Sequence, residues 1–271
     1  MTKCHLLFLC ATLLLLCGCK HAGQGPSLSE YGAHSLAGQA AQFEQYVLNL
    51  ATLPLDEALD RQEKRLSEAE RDSARWQQEM TLQEKFFLDP NSPYRNEELY
   101  LPVVAHMLQS SHATQLQQDR AHWLAPRVSL NRLGTVAADF PFTLPNGRTT
   151  TLHGTIESRH PQQTLLFFSN PGCPNCKEIT EALAADPAIS ARIVSGDLLV
   201  VNVYPDEDLQ DWLDYLPNYP DIWICGHDAE QILHSDTRYW VRAIPSLYLL
   251  DQQKQVVLKD APLDQVLVNC K

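Results

Sequence analysis

The 271-residue chain lacks a hydrophobic run long enough to cross a bilayer. Its longest, Leu6 to Leu16, holds roughly eleven residues with Thr12 inside it, against roughly 20 for a spanning helix. It is also short of cations, with 21 Lys and Arg against 33 Asp and Glu and a net charge of -12. Such a chain repels phosphate, which excludes non-specific nucleic-acid binding. Its 11 Gly and 17 Pro follow no repeat, which excludes collagen-like and low-complexity classes. No period of solenoid or propeller type is present. What remains is globular composition, 44% apolar and 20% charged, of a length suited to one or two domains. Eight cysteines, unevenly placed, carry most of the functional signal.

Lys3 followed by the apolar run reads as a secretory signal. The run ends Leu16-Cys17-Gly18-Cys19, which resembles the lipobox of bacterial lipoproteins. That resemblance implies removal of residues 1–18 and acylation of Cys19 as the new N-terminus. Cys17 suits cleavage less well, because bulky Leu16 would precede it. The plain alternative is an ordinary signal peptide rich in Cys. Processing would remove Lys3, Cys4, Cys10 and Cys17, leaving Cys173, Cys176, Cys225 and Cys270 as free thiols. Export permits disulfides, and several acyl chains would hold the protein to a membrane. Lys20 stands where the inner-membrane retention signal of such lipoproteins has Asp, which favours the outer membrane of the cell envelope. Residues 19–30, with Gly23, Gly25, Pro26, Ser27 and Ser29, read as a tether.

Residues 31–130 read as a mainly helical domain. Helices are expected over Leu36–Leu50, Asp56–Leu88, Asn96–Ser110 and Thr114–Trp123. Leu59, Leu66, Ala69, Trp76 and Met80 form one stripe. Asp89-Pro90-Asn91-Ser92-Pro93 is a break, and Asn96 an N-cap. His106, His112 and His122 share no simple spacing, so no metal site is expected there.

Residues 131–271 change character. Phe140–Leu144 and Thr149–Leu152 flank the turn Pro145-Asn146-Gly147. Strands are expected over Thr164–Ser169, Asp197–Tyr204, Asp221–Cys225, Ser246–Leu250 and Gln255–Lys259. Helices are expected over Pro174–Ala185, Asp206–Tyr215 and Pro262–Val268. The alternation implies an α/β sheet covered on both faces.

The chemistry concentrates at Cys173-Pro174-Asn175-Cys176, where an apolar strand meets a helix. Pro174 suits the first helical position. Cys173 then faces unpaired N–H groups and the positive end of the helix dipole. Both favour thiolate, so its pKa is expected to fall below the free value of roughly 8.5. One turn separates the sulfurs, as thiol–disulfide exchange requires. Cys173 is the candidate nucleophile and Cys176 the resolving thiol.

With Ala243-Ile244-Pro245-Ser246 before the strand Leu247-Tyr248-Leu249-Leu250-Asp251, residues 131–271 resemble the thioredoxin superfamily. The opening Gly134…Ala138-Asp139-Phe140…Asn146-Gly147 resembles its secreted, membrane-tethered branch, which includes the cytochrome-c-maturation reductases. The resemblance implies a cis bond at Ile244–Pro245 and a loop there that binds extended substrate. The whole chain resembles bacterial lipoproteins that fuse a helical domain of unknown function to this fold. Asp89-Pro90-Asn91-Ser92-Pro93, Asn170-Pro171-Gly172-Cys173 and Tyr204-Pro205-Asp206-Glu207-Asp208 carry that likeness. Two family features are missing. Phe167 replaces the buried acid six positions before the first Cys, and Ile179 replaces a Glu three positions after the second. Glu178 and Glu181 neighbour the latter position. Cys176 therefore has no evident proton-transfer partner.

The same residues admit other readings. The CxxC pair could be a structural disulfide in a scaffold or binding lipoprotein. It could be half of a zinc site with Cys225 and His227, although that spacing is unusual. A peroxiredoxin is excluded, since Leu166 and Asn170 occupy its motif positions. Cys225 and Cys270 could pair; they read more simply as a half-buried small hydrophobe and a mobile tail thiol. Trp212, Trp223 and Trp240 read as packing residues, and Asp206-Glu207-Asp208 as the acidic first turn of a helix. Taken together, these residues point to an α/β chain, thioredoxin-like after a helical N-terminal domain. It would reduce protein disulfides in the periplasm with electrons from a membrane donor and without a dissociable cofactor; Pro174-Asn175 does not set the potential, so an oxidant or isomerase role stays open.

Overall fold

The structure, a computed structural model, describes residues 36–235 and 237–271. The signal segment, Cys19 and the tether expected from the sequence lie outside the described residues. Phe43–Lys271 form one compact unit.

The helical region contains α1 (Leu36–Leu50), α2 (Leu55–Ala69), α3 (Ser73–Gln83), α4 (Glu97–Gln109) and α5 (Gln115–Val128). The single helix expected over Asp56–Leu88 is broken. The Asp72 side chain accepts the Arg75 N–H and starts α3 afresh. A capping carboxylate offers the backbone an alternative to continuing the previous helix, and here it prevails. After α3 the chain widens into a π-turn, Glu84–Leu88, before Pro90. Asn96 caps α4 through the Leu99 N–H, and Thr114 with Gln117 forms a capping box on α5. Helix α5 continues past Trp123 because Leu124 and Val128 extend its buried stripe.

Leu66, Ala69, Trp76 and Met80 are buried as the stripe predicts, whereas Leu59 gives way to Ala58 and Gln62 on the inner face. A polar chain runs through this interior. Gln62 donates to Gln83 and to the Leu99 carbonyl, and Gln83 donates to Glu79. Glu79 takes a bidentate contact from Arg65 at 2.6 and 2.8 Å. His106 bridges Glu70 and Glu63 at 2.9 and 2.8 Å.

The second region is a seven-stranded sheet. Its strands are β1 (Pro141–Thr143), β2 (Thr149–Thr151), β3 (Gln163–Phe168), β4 (Leu198–Tyr204), β5 (Ile224–His227), β6 (Ser246–Asp251) and β7 (Val256–Leu258). Their spatial order is β2-β1-β5-β4-β3-β6-β7, with β3, β4 and β5 parallel and the outer pairs antiparallel. Helices α6 (Leu152–Arg159), α7 (Pro174–Ala185), α8 (Pro187–Ser195), α9 (Leu209–Tyr215) and α10 (Leu263–Asn269) complete the layer.

Helices α6 and α8 were not expected. Leu152, read as a strand end, opens α6, because the Thr151 hydroxyl caps it through the Gly154 N–H. Asp186 caps α8 through Ala188 and Ile189, Pro187 supplies the first position, and Ile189 and Ile193 turn inward. Helix α9 begins at Leu209 on an Asp208 cap, so Asp206 falls outside it. Strand β5 lies slightly later than Asp221–Cys225, at Ile224–His227.

Period-two alternation sorts the strands into two cores. Leu165, Phe167, Val200 and Leu247 face a cluster with Cys176, Ile179 and Leu183 of α7. Leu166, Phe168, Val201 and Tyr248 face the opposite cluster with Phe140, Ile156 and Tyr239. Gly226 is required by close approach, since a Cβ there would stand 2.2 Å from the Phe142 ring.

Candidate functional site

Strand β3 ends at Phe168 and delivers Ser169 to Gly172 to the start of α7. Gly172 has φ +74°, the left-handed conformation that favours glycine, and it turns the chain into the helix. Cys173 is the N-cap of α7 and Pro174 its first residue. The two cysteines form a disulfide across Cα atoms 5.3 Å apart. The Cys176 N–H donates to the Cys173 Sγ at 3.2 Å. Cys173 is half-buried while Cys176 is 2% exposed. The pair is therefore asymmetric: Cys173 keeps some solvent exposure and Cys176 lies in the core.

The Ile244–Pro245 peptide bond is cis. The register Phe168↔Ser246 places Pro245 across from Ser169, at the sheet end where α7 begins. Ile244 and Cys173 both rest against the same core cluster. The structure thus gathers the four sequence-predicted residues of the described chain at one end of the sheet.

Beneath them lies a polar group that sequence reasoning missed. Asn202, fully buried on β4, donates to the Ser169 hydroxyl at 2.6 Å. Ser169 in turn meets the Tyr219 hydroxyl at 2.9 Å. Burial pushes the Tyr219 phenol up to about 12 although the Ser169 contact opposes it. Asn202 Oδ1 is buried without a hydrogen-bond partner. The signal was one Asn in the otherwise apolar Leu198–Tyr204. Asn202 neighbours Phe167 in register, on the face that carries α7. A polar side chain therefore occupies the adjoining strand at the level where the acid is missing.

The remaining predicted residues separate. Cys225 and Cys270 are unpaired. Burial pushes the Cys225 thiol up to about 12 and Cys270 to about 11, the latter partly offset by Arg192. The expectation that Cys270 is a mobile tail thiol is wrong. The last turn of α10 turns Val266 and Cys270 into one core, and Arg192 donates to the Cys270 carbonyl at 2.9 Å. His227 is held against the Asp206 carbonyl at 3.0 Å. No group of three or more His, Cys, Asp or Glu able to hold a metal occurs among the described residues. Asp206, rather than opening a helix, accepts from Asn170 beside the CxxC turn. Glu178 and Glu181 are exposed. Trp212, Trp223 and Trp240 are buried packing residues.

A central β-sheet with a CxxC disulfide at a helix N-terminus and a cis-proline at the same sheet end defines the thioredoxin-like class. Residues 36–131 match the family described as a domain of unknown function, DUF5106. A crystal structure of a thioredoxin-like protein from Bacteroides caccae is 33% identical over 88% of this chain and 84% of its own, with TM-score 0.80. The chain belongs to that thioredoxin-like family, a helical domain joined to the sheet domain. The C-terminal domain of an uncharacterized protein from Bacteroides fragilis is 41% identical over 52% of this chain and 97% of its own, with TM-score 0.48. The thioredoxin domain of a thiol-disulfide oxidoreductase from Bacteroides vulgatus is 18% identical over 52% and 99%, with TM-score 0.43. No curated protein matches.

Proposed function

We propose that the protein is a thiol–disulfide oxidoreductase that reduces protein disulfides through Cys173 and Cys176. One observation carries the reading: Cys173, partly buried, caps a helix through its sulfur and is bonded to a buried partner beside a cis-proline loop. In the reduced enzyme the helix N-terminus and the Cys176 N–H favour the Cys173 thiolate.

That thiolate attacks one sulfur of the substrate disulfide. A Cys173–substrate disulfide forms, the substrate S–S bond breaks, and the departing thiolate takes a proton from water. Cys176, deprotonated, then attacks the Cys173 sulfur. The mixed disulfide breaks, the second substrate sulfur leaves as a thiolate that takes up the proton Cys176 released to water, and Cys173–Cys176 closes. Two electrons have passed to the substrate. A dithiol donor at the membrane returns them by the reverse exchange. Ile244 and Pro245 dock the extended substrate segment through backbone contacts. The chemistry needs no dissociable cofactor.

The same proposal places the chain in the periplasm, held to the outer membrane by acyl groups on Cys19. The apolar segment and Leu16-Cys17-Gly18-Cys19 support it. No described helix is long and apolar enough to cross a membrane.

Insulin reduction by the full chain, against Cys173→Ser, tests the activity. Turnover lost in the variant supports it; absence of turnover in the wild type leaves the disulfide as a staple in a scaffold. A Cys176→Ser variant should trap a mixed disulfide, and mass spectrometry of that adduct identifies the substrate.

A further inference from the structure

Five charged side chains meet where the helical region touches the cis-proline loop. Glu97, in the first turn of α4, is 3% exposed. Its carboxylate faces Lys259 at 2.7 Å and Arg242 at 3.1 Å. Asp260 pairs with Arg242 and lies 3.6 Å from Arg95. Taking such groups out of water is costly, and a buried ion pair is weak evidence for stability; its better-attested role is to impose one geometry. Here that geometry is the approach to Pro245.

Arg242 stands three residues before Pro245 and hydrogen-bonds through two guanidinium nitrogens, while its buried Nε lies in ion-pair range of Glu97 without a hydrogen bond. Nη1 donates to the Leu88 carbonyl and Nη2 to Asp260. Glu97 and Leu88 come from the helical region. On the other side of Pro245, the Ser246 hydroxyl donates to Asp260 Oδ1 at 2.7 Å. Asp260 itself has φ +44°, a conformation costly for a residue with a Cβ. The helical region secures it there, for Arg95 Nε donates to the Asp260 carbonyl at 2.8 Å. Lys259, one residue earlier, donates to the Val128 carbonyl at 2.8 Å and to that of Leu130. Both flanks of Pro245 are thus tied to Glu97, Arg95 and Leu88. Burial raises the pKa of the Glu97 carboxyl above its ordinary value, although Lys259 and then Arg242 oppose the shift.

We infer that the helical domain is a brace for substrate docking, in which Glu97, Arg95 and Arg242 are positioning residues that set the path of the loop around Pro245. The inference rests on the oxidoreductase reading and adds a task for the domain of unknown function. An extended protein substrate, aligned by that loop, feels the brace. A small aromatic disulfide, which needs only the Cys173 sulfur, does not.

The test measures full-chain kinetics on a protein disulfide and on 5,5′-dithiobis(2-nitrobenzoate). Glu97→Gln removes the charge with the shape retained. Arg242→Lys keeps the charge but loses the paired Nη1 and Nη2 donors. Arg95→Gln, nearer the rim, keeps the test alive if a central substitution prevents folding. Each folded variant is expected to raise KM for the protein disulfide on the order of tenfold, as lost uniform binding of the docked segment does. Its kcat, and its rate on the small disulfide, should stay within about twofold of wild type. Unchanged KM in the folded variants overturns the inference. So does an equal loss on both substrates, or restoration of wild-type KM by Arg242→Lys. A wild-type chain that turns over neither disulfide overturns the oxidoreductase reading itself, and the inference with it.

Discussion

The sheet region packs into two large apolar clusters, whereas the helical region threads a connected chain of polar side chains through its apolar interior. Around the sheet, two apolar clusters fill the layers, and the Cys173–Cys176 disulfide sits at one end of an inner strand. Within the helices, a chain of Tyr46, Gln62, Gln83, Glu79 and Arg65 runs through the interior. Hydrocarbon packing is insensitive to pH and strongly sensitive to shape. A buried hydrogen-bond chain is sensitive to the loss of any one member, because the partner left behind is desolvated and unpaired. The two regions should therefore fail in different ways under substitution and titration.

The largest expected effect lies at the end of the sheet and belongs to chemistry alone. Cys173→Ser should abolish disulfide turnover while thermal unfolding in reductant moves by no more than a few degrees. A large loss of stability with turnover retained would contradict the division between CxxC turn and apolar core. Within the sheet, Gly226→Ala forces a methyl against Phe142 and should destabilise by about 3 kcal/mol, the upper end for overpacking. Urea denaturation would show it, and an unchanged midpoint would mean that β1 can withdraw. In the helices, Glu79→Ala leaves Arg65 and Gln83 without their shared acceptor. With Arg65 partly exposed, the expected cost is about 2 kcal/mol.

The smallest effect is a titration. Burial lowers the His106 pKa, but the Glu70 and Glu63 contacts outweigh it and leave the net pKa raised. A raised folded-state value favours the charged form. The contribution is full below the unfolded pKa of roughly 6.5 and is lost as pH rises through the folded value. Helical-region stability should fall slightly over that window in wild type, and His106→Gln should remove the dependence. NMR titration of the imidazole reads the shift directly. No comparable step is expected from the buried thiols. With the disulfide oxidised, Cys225 and Cys270 should resist alkylation at pH 8 until the chain unfolds, because burial holds both thiols protonated.

Much of the site was legible because its determinants are local. A strand, a glycine, the CxxC pair and an N1 proline lie within Thr164–Cys176, so spacing alone put Cys173 on the helix end. The missed helices had local signals too, Thr151 and the Asp186-Pro187 pair, but those compete with strand and loop readings of the same residues. The Asp56–Leu88 periodicity misled for a related reason: the pattern of a buried face survives a turn, while the Asp72 cap that makes the turn is one residue.

By itself the sequence determined which residues could carry chemistry, since thiol position, proline and helix start act over a single turn. Tertiary structure alone decided what surrounds them. Glu97 meets Arg242, Cys270 enters the core, and Asn202 reaches Ser169, all through strand register and domain packing between segments far apart in the chain. Such pairings depend on where two distant backbones come together, and a pattern of residue types along one chain does not record that distance.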